Sequence, residues 1–81
     1  MTPETCKTAR DLLGWTLVRV SLETDVDPAA IFLYEHREER LSAESLSRIR
    51  ATLERAGIEF VDTACGEPRA RFRAGALAAG T

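Results

Sequence analysis

The sequence predicts a mainly α-helical domain: a bundle of about four helices with a helix-turn-helix over residues 16–37, then a short C-terminal β-hairpin or extended tail. Three observations predict it. Apolar residues recur at helical spacing in two stretches, Cys6, Ala9, Leu12 and Leu13, and Leu46, Ile49, Leu53 and Ala56. Between them, start and stop signals enclose two short segments joined by Asp25-Val26. After Gly57 the pattern changes to alternation, at residues 58–61 and again at 70–73.

The first helix opens on Thr2 as N-cap, with Pro3 at the first helical position and Glu4 in the first turn, and Gly14 ends it. Trp15 is expected to pack beneath the second helix. That helix has Thr16 as N-cap and runs to residue 24. Asp25 then takes the turn, where an acid tolerates left-handed geometry better than most residues though less well than Gly. Val26 is expected in the core. The third helix, over 27–36, has Asp27 as N-cap and Pro28 at N1, with Ile31 and Tyr34 pointing inward. Residues 36–40, HREER, form the following loop.

The fourth helix begins near Ser42, carries Glu44 in its first turn, and stops at Gly57. The turn-rich Cys65-Gly66-Glu67-Pro68 separates the two strand segments. Residues 1–73 are expected to form one domain, and the tail 74–81, AGALAAGT, lacks polar anchors and is expected to fray.

Composition bounds what such a chain can do. Eighty-one residues make one small domain, and 44% hydrophobic content suffices for one core. A core of this size leaves a margin of only about 3–5 kcal/mol, which dimerisation would supplement. No run approaches the roughly 18 apolar residues of a membrane span, so a cytoplasmic chain is expected. Cys6 is expected to act as a buried small apolar residue, and Cys65 lies in the turn. With two isolated cysteines and His36 as the sole histidine, no converging ligand set for a metal is expected. There is no Ser/His/Asp set and no Gly-rich phosphate loop, so neither catalytic residues nor a cofactor is expected.

The net charge is −2, and its distribution is uneven. Residues 16–44 carry seven acids against three arginines, a net of −4, whereas residues 45–81 carry six arginines against four acids, a net of +2. The segment 69–73, RARFR, reads either as a basic arm or as a strand with its arginines on the wet face; the strand is preferred.

The order of residues resembles a known family. Thr2-Pro3, Cys6, Ala9-Arg10, Leu12-Leu13-Gly14-Trp15-Thr16, Ile31, Tyr34-Glu35, Leu46, Ile49, Leu53 and Ala56-Gly57-Ile58-Glu59-Phe60 are similar to the short xenobiotic-response-element type regulators, small bacterial proteins with the lambda-repressor-like fold. The resemblance covers roughly residues 2–61, and its strongest pieces, ARDLLGW and ERAGIEF, are scaffold motifs. It implies a transcriptional regulator of the nucleoid that binds double-stranded DNA as a homodimer, alone or with another regulator protein.

Carried over residue by residue, the resemblance puts Thr16, Leu17 and Arg19 at the phosphate-binding start of the second helix. It puts Asp27, Pro28, Ala29, Ala30 and Leu33 against base edges, and Arg37 and Arg40 on the backbone beyond. The departures are chemical. Leu17 stands where the family has Gln, and Arg37 where it commonly has Gly. The third helix opens with an acid and apolar residues instead of polar readers. If Ile31 and Tyr34 fill the core, Phe32 and Leu33 cannot both be buried. Phe32, with Ile58 and Phe60, is therefore an interface candidate. A second reading follows: a helix-turn-helix serving protein contact, a co-regulator or anti-repressor whose acidic face mimics or blocks DNA.

Overall fold

In a computed structural model of the chain, residues 1–62 and 66–73 are described; the expectations for Cys65 and for the tail 74–81 lie outside them. The element order is α1 (Pro3–Leu13), α2 (Leu17–Thr24), α3 (Pro28–Glu35), α4 (Ala43–Arg55), β1 (Ile58–Asp62) and β2 (Pro68–Phe72). It is a small, mainly helical architecture closed by a two-stranded antiparallel sheet.

Every helix begins on a side-chain cap. Thr2 and Thr5 form a reciprocal box, Thr5 N–H donating to Thr2 Oγ1 at 3.2 Å and Thr2 N–H to Thr5 Oγ1 at 2.7 Å. Thr16, Asp27 and Ser42 cap α2, α3 and α4 by accepting from the amides of Arg19, Ala29 and Ser45. The ends are equally defined. Gly14 sits at φ 69°, its amide bonded to Asp11 O while Trp15 N–H reaches Arg10 O, which closes α1 in a Schellman turn.

The core is one cluster, Cys6, Ala9, Val20, Val26, Ile31, Tyr34, Ile49, Leu53 and Ile58, to which every helix contributes. Val26, Ile31 and Tyr34 point inward as their spacing predicts. Leu12 departs from the predicted stripe and is exposed; Leu13 is only half-buried. Position 10, three residues from Leu13 and four from Cys6, supplies an arginine to the interior side instead. β1 reaches one residue beyond its predicted end, and β2 starts two residues earlier than predicted, at Pro68, and ends at Phe72.

Ile58 corrects the expectation that it contributes to an interface. It is 1% exposed and part of the core, because Gly57 turns the chain sharply and aims the first strand residue back under α4. Opposite Ile58 in the register stands Phe72, and opposite Phe60 stands Ala70, so these four share the sheet face that carries the core contacts. Arg69 and Arg71 fall on the other face, where Arg71 Nε donates to Glu59 Oε2 at 3.1 Å.

Candidate nucleic-acid interface

α2 and α3 are eight-residue helices joined by residues 25–27. Asp25 adopts φ 60°, ψ 30°, the left-handed turn its sequence position suggests. Val26 is buried and pins the turn to the core, and Asp27 Oδ1 accepts the Ala29 amide at 2.9 Å to start α3. Pro28 at N1 costs no hydrogen bond there.

The C-terminal end of α3 is fastened by charge. Glu35 accepts two parallel bonds of 3.0 Å from Arg10, from Nε and from the terminal Nη2, while Arg10 Nη1 donates to the Trp15 carbonyl at 3.0 Å. The Glu35 side chain is 1% exposed and that of Arg10 16%. A single guanidinium thus ties α1, the α1–α2 junction and α3. The Cys6 thiol lies 3.8 Å from Glu35 Oε2. Burial, then the Glu35 charge, push that thiol up to about 12, so it stays protonated and unreactive at neutral pH. The bond that Arg10 donates to Glu35 is also the main cause of the raised Arg10 pKa, and burial raises that of Tyr34.

The Arg10–Glu35 clamp was not anticipated from sequence. Its signal was present in the charge pattern, an acid inside an otherwise apolar helical face, but the 25-residue separation hid the partner.

Arg37 follows α3 and holds φ 60°. Its amide bonds to Tyr34 O at 3.0 Å and the Glu38 amide to Leu33 O at 2.8 Å, the two bonds of a Schellman turn with arginine in the position that favours glycine. The Arg37 side chain pairs with Glu4. Arg40 is exposed and makes no ion pair among the described residues. His36 Nδ1–H donates to Phe32 O at 2.9 Å, and its ring lies 4.1 Å from that of Phe32.

The sequence-derived candidates on α2 and α3 differ in accessibility. Thr16, Arg19, Asp27 and Ala29 are exposed, Pro28, Ala30 and Leu33 half-buried. Leu17 is also half-buried, packed against the core, so only part of it is free to touch a ligand. Arg19 is committed locally: its guanidinium stacks 4.5 Å from the Trp15 ring and its Nε donates to Glu23 at 3.2 Å. Phe60 is half-buried against the core, with Arg50 5.7 Å from its ring.

One feature of the surface was missed: Val18 (59% exposed) and Leu22 (78%), four apart on α2, join the expected Phe32 (44%) of α3 among the exposed large apolar residues. The signal was legible as the Val18-x-x-x-Leu22 spacing, out of phase with Val20 and Thr24, which take the buried side. The exposed residues of α2, α3 and their turn accordingly include Val18, Leu22 and Phe32 together with Arg19, Glu23, Asp25 and Asp27.

Among the described residues no cluster of His, Cys, Asp and Glu could hold a metal ion, and no helix is long and apolar enough to cross a membrane. No protein-family model matches the chain, and no curated protein matches it either.

Proposed function

We propose that this chain is a lambda-repressor-like helix-turn-helix regulator of transcription, which binds double-stranded DNA as a homodimer with α3 along the major groove. The supporting observation is a two-helix unit whose second helix is clamped by Arg10–Glu35 while Ala29, Phe32 and Leu33 keep surface toward solvent. A groove-reading helix needs this combination of rigid seating and a free face.

The roles follow from the chemistry of each group. The first amides of α2, beside Thr16, suit a phosphate oxygen, with Leu17 against the sugar. Arg40 offers the backbone a free guanidinium, and Arg37 and Arg19 join it by exchanging Glu4 and Glu23 for phosphate. Pro28, Ala29, Ala30 and Leu33 match thymine methyl groups, and the Asp27 oxygen left over from capping matches a cytosine amino group. A face of this kind draws its specificity from apolar contact and DNA shape more than from bidentate pairs, each of which would be worth about 1–3 kcal/mol. Such a regulator acts in the cytoplasm, at the nucleoid.

The test is selection from a random duplex library, followed by titration of the selected duplex at rising salt. A regulator of this class enriches a two-fold symmetric site and weakens steeply with salt; the absence of any enriched sequence at low salt contradicts the reading.

A second reading is a helix-turn-helix turned to protein contact, as a co-regulator or anti-repressor. The exposure of Val18, Leu22 and Phe32 beside three acids favours it. Salt separates the two, because an apolar contact barely weakens as ionic strength rises.

A further inference from the structure

The hairpin sets its arginines in a row. Arg69, Arg71 and Arg73 alternate with Ala70 and Phe72, which pack toward the core. Arg73 N–H donates to Gly57 O at 2.7 Å, so the ladder runs one residue past the end of β2 and keeps Arg73 in phase with the other two. All three are exposed, on the sheet face turned away from the core, and Arg69 and Arg71 stand opposite Val61 and Glu59. Alternate residues of a strand lie about 6.8 Å apart. The phosphates of one DNA strand follow at nearly the same interval, because each step combines a rise of about 3.4 Å with the turn of the helix.

The charge of this row is largely uncompensated. Of the strand residues on this face, Glu59 alone is acidic; it accepts from Arg71 at 3.1 Å, with the arginine side chain 64% exposed. Arg69 and Arg73 make no ion pair among the described residues. Glu4, which shares a shallow groove between α1 and β2 with Arg69, gives its charge to Arg37. A chain of net charge −2 thus carries a local cationic stripe. Guanidinium forks meet phosphate oxygens in pairs. A protein contact, by contrast, needs an apolar centre, and among the strand residues this face offers only half-buried Val61.

We infer that the outer face of the hairpin is a second duplex contact, in which Arg69, Arg71 and Arg73 lie along the phosphates of one strand and Glu59 gives up Arg71 to them. No residue of the stripe belongs to α2 or α3, so it adds affinity without reading bases. The contact goes beyond the reading of α3 and rests on it only for the choice of ligand, since phosphates are gripped whatever the sequence.

The test compares the whole chain with the triple variant Arg69→Gln, Arg71→Gln, Arg73→Gln, on the selected duplex and on a random duplex of equal length, between about 50 and 200 mM salt. Each phosphate contact adds about 0.9 to the slope of log affinity against log salt, so the variant is expected to be shallower by about 2–3 on both duplexes. It is expected to keep the unaltered chain's preference between them. The three arginines are exposed, so melting temperatures are expected to stay within a few degrees. Changing all three to Lys keeps the charges and is expected to retain the slope. Glu59→Gln removes the acid of the stripe and is expected to tighten both duplexes severalfold. Glu44→Gln, on α4 and likewise paired with an arginine, is expected to change them by less than about twofold. If a site is selected while the triple Gln variant keeps slope and affinity, the inference falls and the reading of α3 stands. If random duplex is bound through these arginines and no site is enriched, the inference stands and that reading falls. A chain that binds no duplex overturns both.

Discussion

Arg10 and Glu35 meet through two parallel N–H···O bonds of 3.0 Å, and the carboxylate they share is 1% exposed. The pair joins the last turn of α1 to the last residue of α3. Its third bond, to the Trp15 carbonyl, fixes the junction where α2 begins. The orientation of the candidate reading helix thus depends on one guanidinium.

Breaking the pair is expected to be severe. Arg10→Met leaves the Glu35 charge buried without a partner, a loss of about 3–5 kcal/mol, comparable with the whole margin of a domain this small. Denaturant titration is expected to find that variant largely unfolded, and Arg10→Met with Glu35→Leu folded again. A single variant as stable as the unaltered chain contradicts the role given to the clamp.

Stability is expected to fall at high pH. The Cys6 thiol is raised from 9.0 to about 12, with burial the larger cause and Glu35 the next, and Tyr34 is raised from 10.0 by burial. Both groups hold their protons more tightly folded than unfolded. The Cys6 contribution is therefore complete below about pH 9 and is lost as pH climbs toward 12, a range in which the unfolded chain ionises first, steepening the decline by up to about 1.4 kcal/mol per pH unit; Tyr34 adds to the loss in the same direction above pH 10. Denaturant titrations between pH 8 and 10.5 check it: Cys6→Ala is expected to decline more gently than the unaltered chain. Parallel slopes contradict the assignment.

Arg37→Gly separates folding from function. The residue holds φ 60° in a Schellman turn, so glycine there is expected to stabilise the fold by about 1 kcal/mol. Under the DNA reading the same change removes a backbone cation and weakens duplex binding severalfold. Thermal melts and duplex titrations of one variant record both effects; a loss of stability contradicts the first.

Replacing Val18 and Leu22 by Ser removes no buried contact, since both are exposed. Folding stability is expected to change by less than about 0.5 kcal/mol. If duplex binding is also unchanged while a partner protein is lost, the protein-contact reading takes precedence. Phe32→Ser with Leu33→Ser is expected to impair DNA affinity, because both keep surface on α3.

Much of the fold is written in local chemistry. Thr2, Thr16, Asp27 and Ser42 each announce a helix start, and each side chain caps as its type suggests. Asp25 was readable as a left-handed turn because an acid follows Thr24 just before the buried Val26. What was not readable depends on distance or on rule-breaking residues. Arg10 and Glu35 look like ordinary surface charges until three-dimensional packing joins them. Arg37 occupies a turn where glycine is the usual signal, so the turn hides behind a charged loop. Ile58 reads as one strand residue among several, and only the turn at Gly57 decides that it is core. Pro68 reads as a loop residue, yet begins β2 because its missing donor faces away from β1. Local signals thus located the helices of the candidate site, while the pairing of Arg10 with Glu35 that seats them emerges only from the fold.

The most direct measurement is amide mapping of the isotope-labelled chain with its selected duplex at low salt. Shifts are expected to concentrate at Thr16–Arg19, at Asp27–Leu33 and at Arg37–Arg40, and to fade together as salt is added. Shifts confined to other surfaces, or none at all with saturating duplex, contradict the proposal that α3 reads DNA.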